Sequence, residues 1–334
     1  MSPHQFELLG IGNPIMDLLA HVDDAFLRAH VAGDKGGMVL VDEADLTNLV
    51  LKLGGQYAMT PGGSAANAVL GATKLGLKTT FLGKIGGDIT AQDYHVNFTA
   101  AGGDGSRFKR TALPNGRCLS LVTADGQRTM RTHLGAAMTL SPDEITLEDF
   151  RGAQHAHIEG YLLFNPALAE KVAATARAAG CTISLELSSF EVVNIARDWI
   201  LGQLKQGVDI VFANEDEARA LFQKDASYDA YAQKIAGYGG IACVKIGKDG
   251  AWIARGSELH RIAPVSVAKV IDTTGAGDAW AGGFLYGHLR GYSLPASGTL
   301  GSALGAECVQ HLGPAIPEMR WPGLRALAQS LKQG

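Results

Sequence analysis

Asp272-Thr273-Thr274-Gly275-Ala276-Gly277-Asp278-Ala279-Trp280-Ala281-Gly282-Gly283-Phe284 is the stretch on which the reading of this chain turns. Val267 and Val270-Ile271 lead into it with the character of a strand, and the proline-free run from Ala279 to Leu289 leaves it with the character of a helix. A glycine-rich turn between strand and helix aims several backbone N–H groups, and the positive end of the helix, at one spot. Such a spot binds anions, phosphate above all. The amides of Ala276, Gly277 and Asp278 would form the anion hole. A carboxylate at Asp278 would repel the anion, so its expected part is to take the proton of a reacting hydroxyl as general base; the plainer alternative is a capping aspartate. Together these features predict phosphoryl transfer to an alcohol. A helix N-terminus should lower the pKa of Asp278 and make it a weak base, which a loose phosphoryl transition state tolerates.

From about residue 153 onward strands and helices alternate. Strands are expected at 157–163, 181–187, 209–213 and 241–246, and helices at 167–179, 192–204 and on to Phe222. Repeated βα units imply a doubly wound α/β fold, a mainly parallel sheet with helices on both faces. Ligands of such sheets bind beyond the carboxyl ends of the strands, where Asn214 and the 272–278 turn both fall. Earlier in the chain, residues 6–11 read as a strand and 64–75 as a helix, with Ser64 as N-cap and Gly76 as its stop. Alternating runs at 117–123 and 128–133 flank Asp125-Gly126, a hairpin signal. Regions 17–41 and 108–133 are therefore expected to form a small antiparallel sheet, a lid over the site, on a single unit spanning 1–334.

Three further segments carry candidate site residues. Thr60-Pro61-Gly62-Gly63-Ser64-Ala65-Ala66-Asn67 places two glycines before a helix, so that backbone and ligand can approach closely, with Asn67 aimed at the same place. Gly12-Asn13-Pro14-Ile15-Met16-Asp17 ends the first strand; Asn13 and Asp17 offer a neutral and an anionic acceptor to a pair of sugar hydroxyls, or merely shape a turn. Asn214-Glu215-Asp216-Glu217 opens a helix, where its acids either complement the dipole or hold a hydrated Mg2+ beside nucleotide phosphates. Arg128 on the hairpin reaches a phosphate or is simply solvated. Gly10-Ile11-Gly12 lacks the third glycine of a dinucleotide fingerprint, and no G-x-x-x-x-G-K-[ST] occurs. His155 and His157 lack a third metal ligand, and Trp252, Trp280 and Trp321 read as packing residues.

The composition agrees. Of 334 residues 46% are hydrophobic, enough for a sizeable core, and a net charge of −4 with a pI near 6.2 argues against nucleic acid as partner. The 43 glycines sit at turn-like places. Cys118, Cys181, Cys243 and Cys308 are widely spaced and read as free thiols of a reducing compartment. With no apolar stretch of about 18 residues and no leader pattern, a cytoplasmic protein without membrane contact is expected.

In these segments and in their order, the chain resembles the ribokinase-like (PfkB-type) family of sugar and nucleoside kinases over nearly its whole length: the Gly62-Gly63…Asn67 helix, Asn214-x-x-Glu217, the Gly247-x-x-Gly250 turn and Asp272-Thr273-Thr274-Gly275-Ala276-Gly277-Asp278. The resemblance implies ATP with Mg2+ as phosphoryl donor, Asp278 as base and Gly275–Gly277 as anion hole. It further implies Asn214 with Glu217 as the Mg2+–phosphate element, through water, and K+ beside Asp272 and Thr274. Lys245, Gly247, Gly250 and Thr274 would meet the nucleotide. The opening is similar to adenosine kinases, as are Leu134-Gly135-Ala136-Ala137 and Glu159-Gly160-Tyr161. Carried over, Asp17 and Asn67 would hold ribose hydroxyls with Asn13, Gly62, Gly63 and Ser64 close by. Leu134 and Tyr161 would line the base pocket, and Arg128 would approach the transferred phosphate. The implied reaction makes AMP from adenosine at the 5′-hydroxyl; the alternatives are a sugar of ribose or fructose type, another nucleoside, or a catalytically silent sensor. Adenosine kinases imply a monomer, ribokinases a dimer paired through lids. The chain departs from the pattern at Ala91, where glycine is usual, at Ser188-Ser189, and at Lys245, where threonine is common.

Overall fold

Strand Phe6–Ile11 is apolar at nearly every position because it lies in the middle of a sheet covered on both faces. The computed structural model describes residues 4–33 and 35–332, and its main sheet has eight strands in the order 258–262, 251–255, 241–245, 210–214, 182–186, 153–158, 6–11, 79–82. The six strands from 79–82 to 241–245 run parallel, and the last two fold back antiparallel. Successive residues point to opposite faces. Val211 and Ala213 pack with helices Pro166–Ala178, Phe190–Gly207, Glu215–Phe222 and Tyr228–Ala236, whereas Ile210 and Phe212 pack with helices Ser64–Leu75 and Ala276–Leu289. The doubly wound α/β prediction holds.

Glycine sets how closely the last two of those helices approach. A Cβ at Gly282 would overlap the carbonyl of Ala68, and one at Gly283 would stand 2.9 Å from the carbonyl of Leu300 on helix Leu294–Cys308. Helix Ala276–Leu289 is thus clamped between two neighbours, and the first turns of Ser64–Leu75 and Ala276–Leu289 lie side by side.

The chain leaves the main sheet at Ile11 and after three residues enters a second sheet at Ile15. That sheet runs in the order 38–40, 128–133, 116–122, 15–21, 58–61. Its hairpin is the predicted one, with Val122 opposite Arg128, and 15–21 also pairs antiparallel with 58–61. The 15–21/116–122 and 38–40/128–133 ladders are parallel. Strand Ala58–Pro61 has no counterpart in the sequence reading; Pro61 can stand there because an edge strand needs no N–H on its outer side. Lys109–Arg110 pairs with Lys84–Ile85, away from the second sheet. Met16, Leu18, Leu119 and Leu121 pack against Leu27, Leu46 and Leu49 of helices Asp24–His30 and Glu43–Lys52. Asp17, Cys118 and Thr132, on the other face, line a cavity between the two sheets.

Three local expectations fail. Residues 263–272 form no strand: Ile271 N and Asp272 N both donate to Val309 O at the end of helix Leu294–Cys308. The strand expected at 157–163 spans Ala153–Ile158 and gives way to a 3₁₀ turn at Gly160–Phe164. Gly63, at φ 97°, is the N-cap of helix Ser64–Leu75 in place of Ser64. Gly76 ends that helix in the left-handed conformation, as predicted. Among the described residues no helix is long and apolar enough to cross a membrane, and all four cysteines are free and buried.

Candidate active site

The Thr273–Asp278 turn opens into a cavity of about 970 Å³ at the carboxyl ends of the strands, lined also by the second sheet. Gly275 takes a φ of 73°, which only glycine adopts cheaply, and a Cβ there would overlap Pro314. The amides of Gly275, Gly277 and Asp278 have no backbone acceptor among the described residues, and Ala276 N reaches only Thr273 O at 3.3 Å. Free donors at the positive end of a 14-residue helix are what an anion hole requires.

Asp278 stands beside them. Ser64 Oγ donates to its Oδ1 at 3.0 Å and Asn67 Nδ2 to its Oδ2 at 2.9 Å. These bonds exist because the two helices approach so closely. The expectation of a lowered pKa is overturned: burial, and then the charge of Glu186, push Asp278 up to about 6 against the opposing pull of Asn67, Lys245 and Ser64. A carboxylate with a pKa nearer neutrality is a better proton acceptor at working pH. Ser64 and Asn67 therefore serve the aspartate, whereas the sequence assigned them to the N-cap and the acceptor.

Glu159 performs the capping that Ser64 does not. Its buried carboxylate accepts from Ala65 N at 3.1 Å, from Asn13 N at 3.3 Å and from Asn13 Nδ2 at 2.8 Å. Burial raises it to about 7 against the opposing pull of those hydrogen bonds. Because the Asn13 amide nitrogen is spent on Glu159, its carbonyl oxygen remains for a hydroxyl donor. Asp17 is 7% exposed, and among the described residues no protein donor reaches its carboxylate. Burial, then Asp278, raise it to about 7, while Arg128 opposes the rise. A Cβ at Gly62 would overlap the Asp17 carboxyl, and one at Gly63 would overlap Asn13 O, so both glycines are dictated by the residues opposite.

Asp272 is fully buried beneath the turn. Oδ1 accepts from Thr274 N at 2.9 Å and Thr274 Oγ1 at 2.7 Å, and Oδ2 from Gly313 N at 2.8 Å. Arg128 crosses from the second sheet, its Nε 3.9 Å from Asp272 Oδ1 and its Nη1 donating to Thr274 Oγ1 at 3.2 Å. N–H and O–H donors surround Asp272, whereas K+ takes oxygens, so the side chains present do not by themselves build a K+ site.

At the end of strand Ile210–Asn214, Asn214 caps helix Glu215–Phe222 and is capped in return: Glu217 accepts from Asn214 N and Nδ2, each at 2.8 Å. Glu217 is buried and lines the cavity, and its pKa is raised to about 7 by burial, with Lys245 opposing. Both oxygens already serve the cap, so what remains suits an ion that keeps its water shell. No group of three or more His, Cys, Asp or Glu among the described residues could hold a bare metal. Gly250, at φ 95°, turns the chain where a Cβ would overlap Ile262 O, and Gly247 and Lys248 border the cavity beside it. Lys245 Nζ donates to Glu186 Oε1 at 2.6 Å and to Gly277 O at 3.4 Å.

Part of the cavity under the second sheet is apolar. Ile15, Met38, Met130, Leu134, Tyr161 and Phe164 line it, the two aromatic rings stacked with centroids 6.2 Å apart. Leu134 and Tyr161 thus line the same cavity. His155 and His157 are hydrogen-bonded to Thr182 and Ser184 on the neighbouring strand. Sequence reasoning missed Glu159 as a capping group, and Glu186 and Gly313 altogether. An acid inside the apolar strand Thr182–Glu186 was the available signal for Glu186. For Gly313 there was none.

A profile of the pfkB family of carbohydrate kinases matches residues 37–321. A probable sugar kinase from Rhizobium etli CFN 42 is similar in structure, with a TM-score of 0.88 and 32% identity over 99% of this chain and 98% of its own. Adenosine kinase from Sinorhizobium meliloti superposes with a TM-score of 0.85 and 32% identity over 98% of this chain and 99% of its own. Adenosine kinase from Saccharomyces cerevisiae is 27% identical over 93% of this chain and 96% of its own length.

Proposed function

The chain belongs to the pfkB family of carbohydrate kinases, and from that premise we propose that it transfers the terminal phosphoryl group of ATP to the 5′-hydroxyl of a nucleoside, adenosine foremost. Phosphotransfer to an alcohol, on a nucleoside or a sugar, comes with the family. The apolar compartment carries the finer reading. A free sugar gives Met130, Leu134, Tyr161 and Phe164 nothing apolar to bury, whereas a purine presents two flat faces.

In this reading the free amides of the 275–278 turn hold the phosphoryl oxygens and contribute about 3 kcal/mol per donor to the transition state. Asp278 takes the hydroxyl proton. The unpartnered Asp17 carboxylate and the Asn13 carbonyl accept the ribose hydroxyls, and Arg128 meets the transferred phosphate, screening Asp272. Asn214, Glu217 and the Gly247–Gly250 turn line the nucleotide side; Mg2+ held through water at Glu217 would neutralise phosphate charge.

The test is ADP release with Mg·ATP, comparing adenosine, inosine, guanosine, ribose and fructose as acceptors, each with K+ or Na+. Turnover on adenosine well above the rest is expected. Preference for a free sugar would refute the base pocket, and silence on every acceptor would favour a ligand sensor. A K+ requirement would show that oxygens beyond the side chains of Asp272 and Thr274 complete a cation site.

The second sheet, with strand 58–61 added and residues 108–115 removed, is proposed to act as a lid. Its polar hold on the turn is the 3.9 Å Arg128–Asp272 contact and the single Arg128–Thr274 hydrogen bond, little enough to open and close. Amide hydrogen exchange at 116–122 and 128–133 should slow when acceptor is added. Identical exchange with and without acceptor would count against closure.

A further inference from the structure

Lys245 closes strand Ile241–Lys245, and its side chain enters the cavity beside the first turn of helix Ala276–Leu289. Of the three N–H groups on its ammonium, one is given to Glu186 Oε1 at 2.6 Å and one, at 3.4 Å, to Gly277 O. The third has no protein acceptor among the described residues. Glu186 reaches Lys245 from two strands away, its side chain 4% exposed. Burial works to raise its pKa, but Lys245 and then His157 overcome this and hold it down at about 2.

A buried ion pair of this kind is poor at stabilising a fold, because desolvation of both charges offsets their attraction. An apolar pair would fill the same space. What the pair achieves is placement. A lone lysine in this setting would shed its proton, whereas Glu186 keeps the ammonium charged and pins it next to Gly277. A Cβ at Gly277 would stand 3.1 Å from Nζ, so the glycine leaves the ammonium its seat. The result is a fixed positive charge beside the free amides of Gly277 and Asp278.

We propose that Lys245 is a catalytic residue, a tethered cation that touches the terminal phosphoryl group of ATP in flight, with Glu186 as its positioning residue. The proposal rests on reading the 275–278 turn as the phosphoryl site. In the reaction the bond from the terminal phosphorus to the bridging oxygen breaks, and its electron pair leaves with ADP. A new P–O bond forms to the acceptor oxygen, and the acceptor proton passes to Asp278. Lys245 keeps its protons throughout and supplies charge where the phosphoryl oxygens gather it.

Calorimetric binding of the imido analogue of ATP and of ADP, each with Mg2+, tests this on the wild type, Lys245→Met and Lys245→Arg. Because Lys245→Met strands the Glu186 carboxylate, Lys245→Met/Glu186→Gln carries the same comparison should the single variant fail to fold. The methionine variants should lose about 10- to 100-fold in affinity for the ATP analogue and keep ADP affinity within about threefold. Their kcat should fall about 10²- to 10³-fold with the acceptor KM little changed, and Lys245→Arg should recover part of both losses. Equal losses for the two nucleotides, or none for either, would overturn the proposal and leave Lys245 a structural ion pair. A wild type that binds neither nucleotide would overturn the phosphoryl-site reading itself, and this proposal with it.

Discussion

Asp278→Asn should lower kcat about 10²- to 10⁴-fold while the KM values for ATP and acceptor stay within a few-fold. The substitution is nearly isosteric and leaves the amides of the 275–278 turn in place. Ser64 Oγ can still donate to the remaining oxygen, but Asn67 Nδ2 then faces an NH2 group and loses its acceptor. One lost hydrogen bond costs about 1 kcal/mol, so the folded variant should survive with a small drop in melting temperature. A large fall in kcat without a matching fall in stability separates loss of the base from damage to the site. A kcat within threefold of the wild type would remove Asp278 as the proton acceptor.

The pH profile gives the same prediction a second face. The base works only when ionised, so wild-type activity should decline as pH falls through about 6, the value at which burial and Glu186 place Asp278. Asp278→Asn should lose that acidic limb along with its rate. Burial raises Asp17, Glu159 and Glu217 to about 7. They belong to hydrogen-bonded or ligand-facing positions, so their titration should show in acceptor and nucleotide KM and leave the limb of kcat to Asp278.

The pKa of Asp278 illustrates where the sequence was legible and where it was not. The turn is local: Gly275 in the left-handed region, the helix after it and the free amides all follow from seven consecutive residues. So do the alternating βα units and the Asp125-Gly126 hairpin. The helix N-terminus alone implied a lowered pKa; the reversal comes from burial by elements no local pattern reveals and then from Glu186, 92 positions away. Asn13 and Glu159 meet across 146 positions, and Ser64 and Asp278 across 214. The first pair is set by the parallel pairing of strands Phe6–Ile11 and Ala153–Ile158, the second by how close two helices pack, which in turn depends on Gly282 against Ala68. The misread strand at Val267 and Val270-Ile271 has the same origin. Its residues favour extended backbone, but a strand exists only beside a partner, and here the chain finds Val309 instead.

Asp17→Ala should move activity and stability in opposite directions. The Asp17 carboxylate is buried, without a protein donor among the described residues and near Asp278 and Asp272, and its raised pKa records the cost of holding a charge there. Removing it relieves that cost, so the variant should melt at or above the wild-type temperature at pH 8, where the carboxylate is ionised. Below pH 6, where it is protonated, the advantage should shrink. With acceptor bound the balance reverses. Each hydroxyl bond to an ionised acceptor is worth about 1.5–3 kcal/mol, so losing two should lower kcat/KM for the acceptor about 10²- to 10⁴-fold. Asp17→Asn keeps one acceptor oxygen and should fall between. The discriminating comparison sets adenosine against its 2′-deoxy and 2′,3′-dideoxy analogues: the wild type should prefer the full set of hydroxyls, and Asp17→Ala should be nearly indifferent to them. A variant that still discriminates as the wild type does would place the sugar hydroxyls elsewhere in the cavity. A site that holds an unpaired charge in readiness gives up stability for recognition, and Asp17 is where this fold does so.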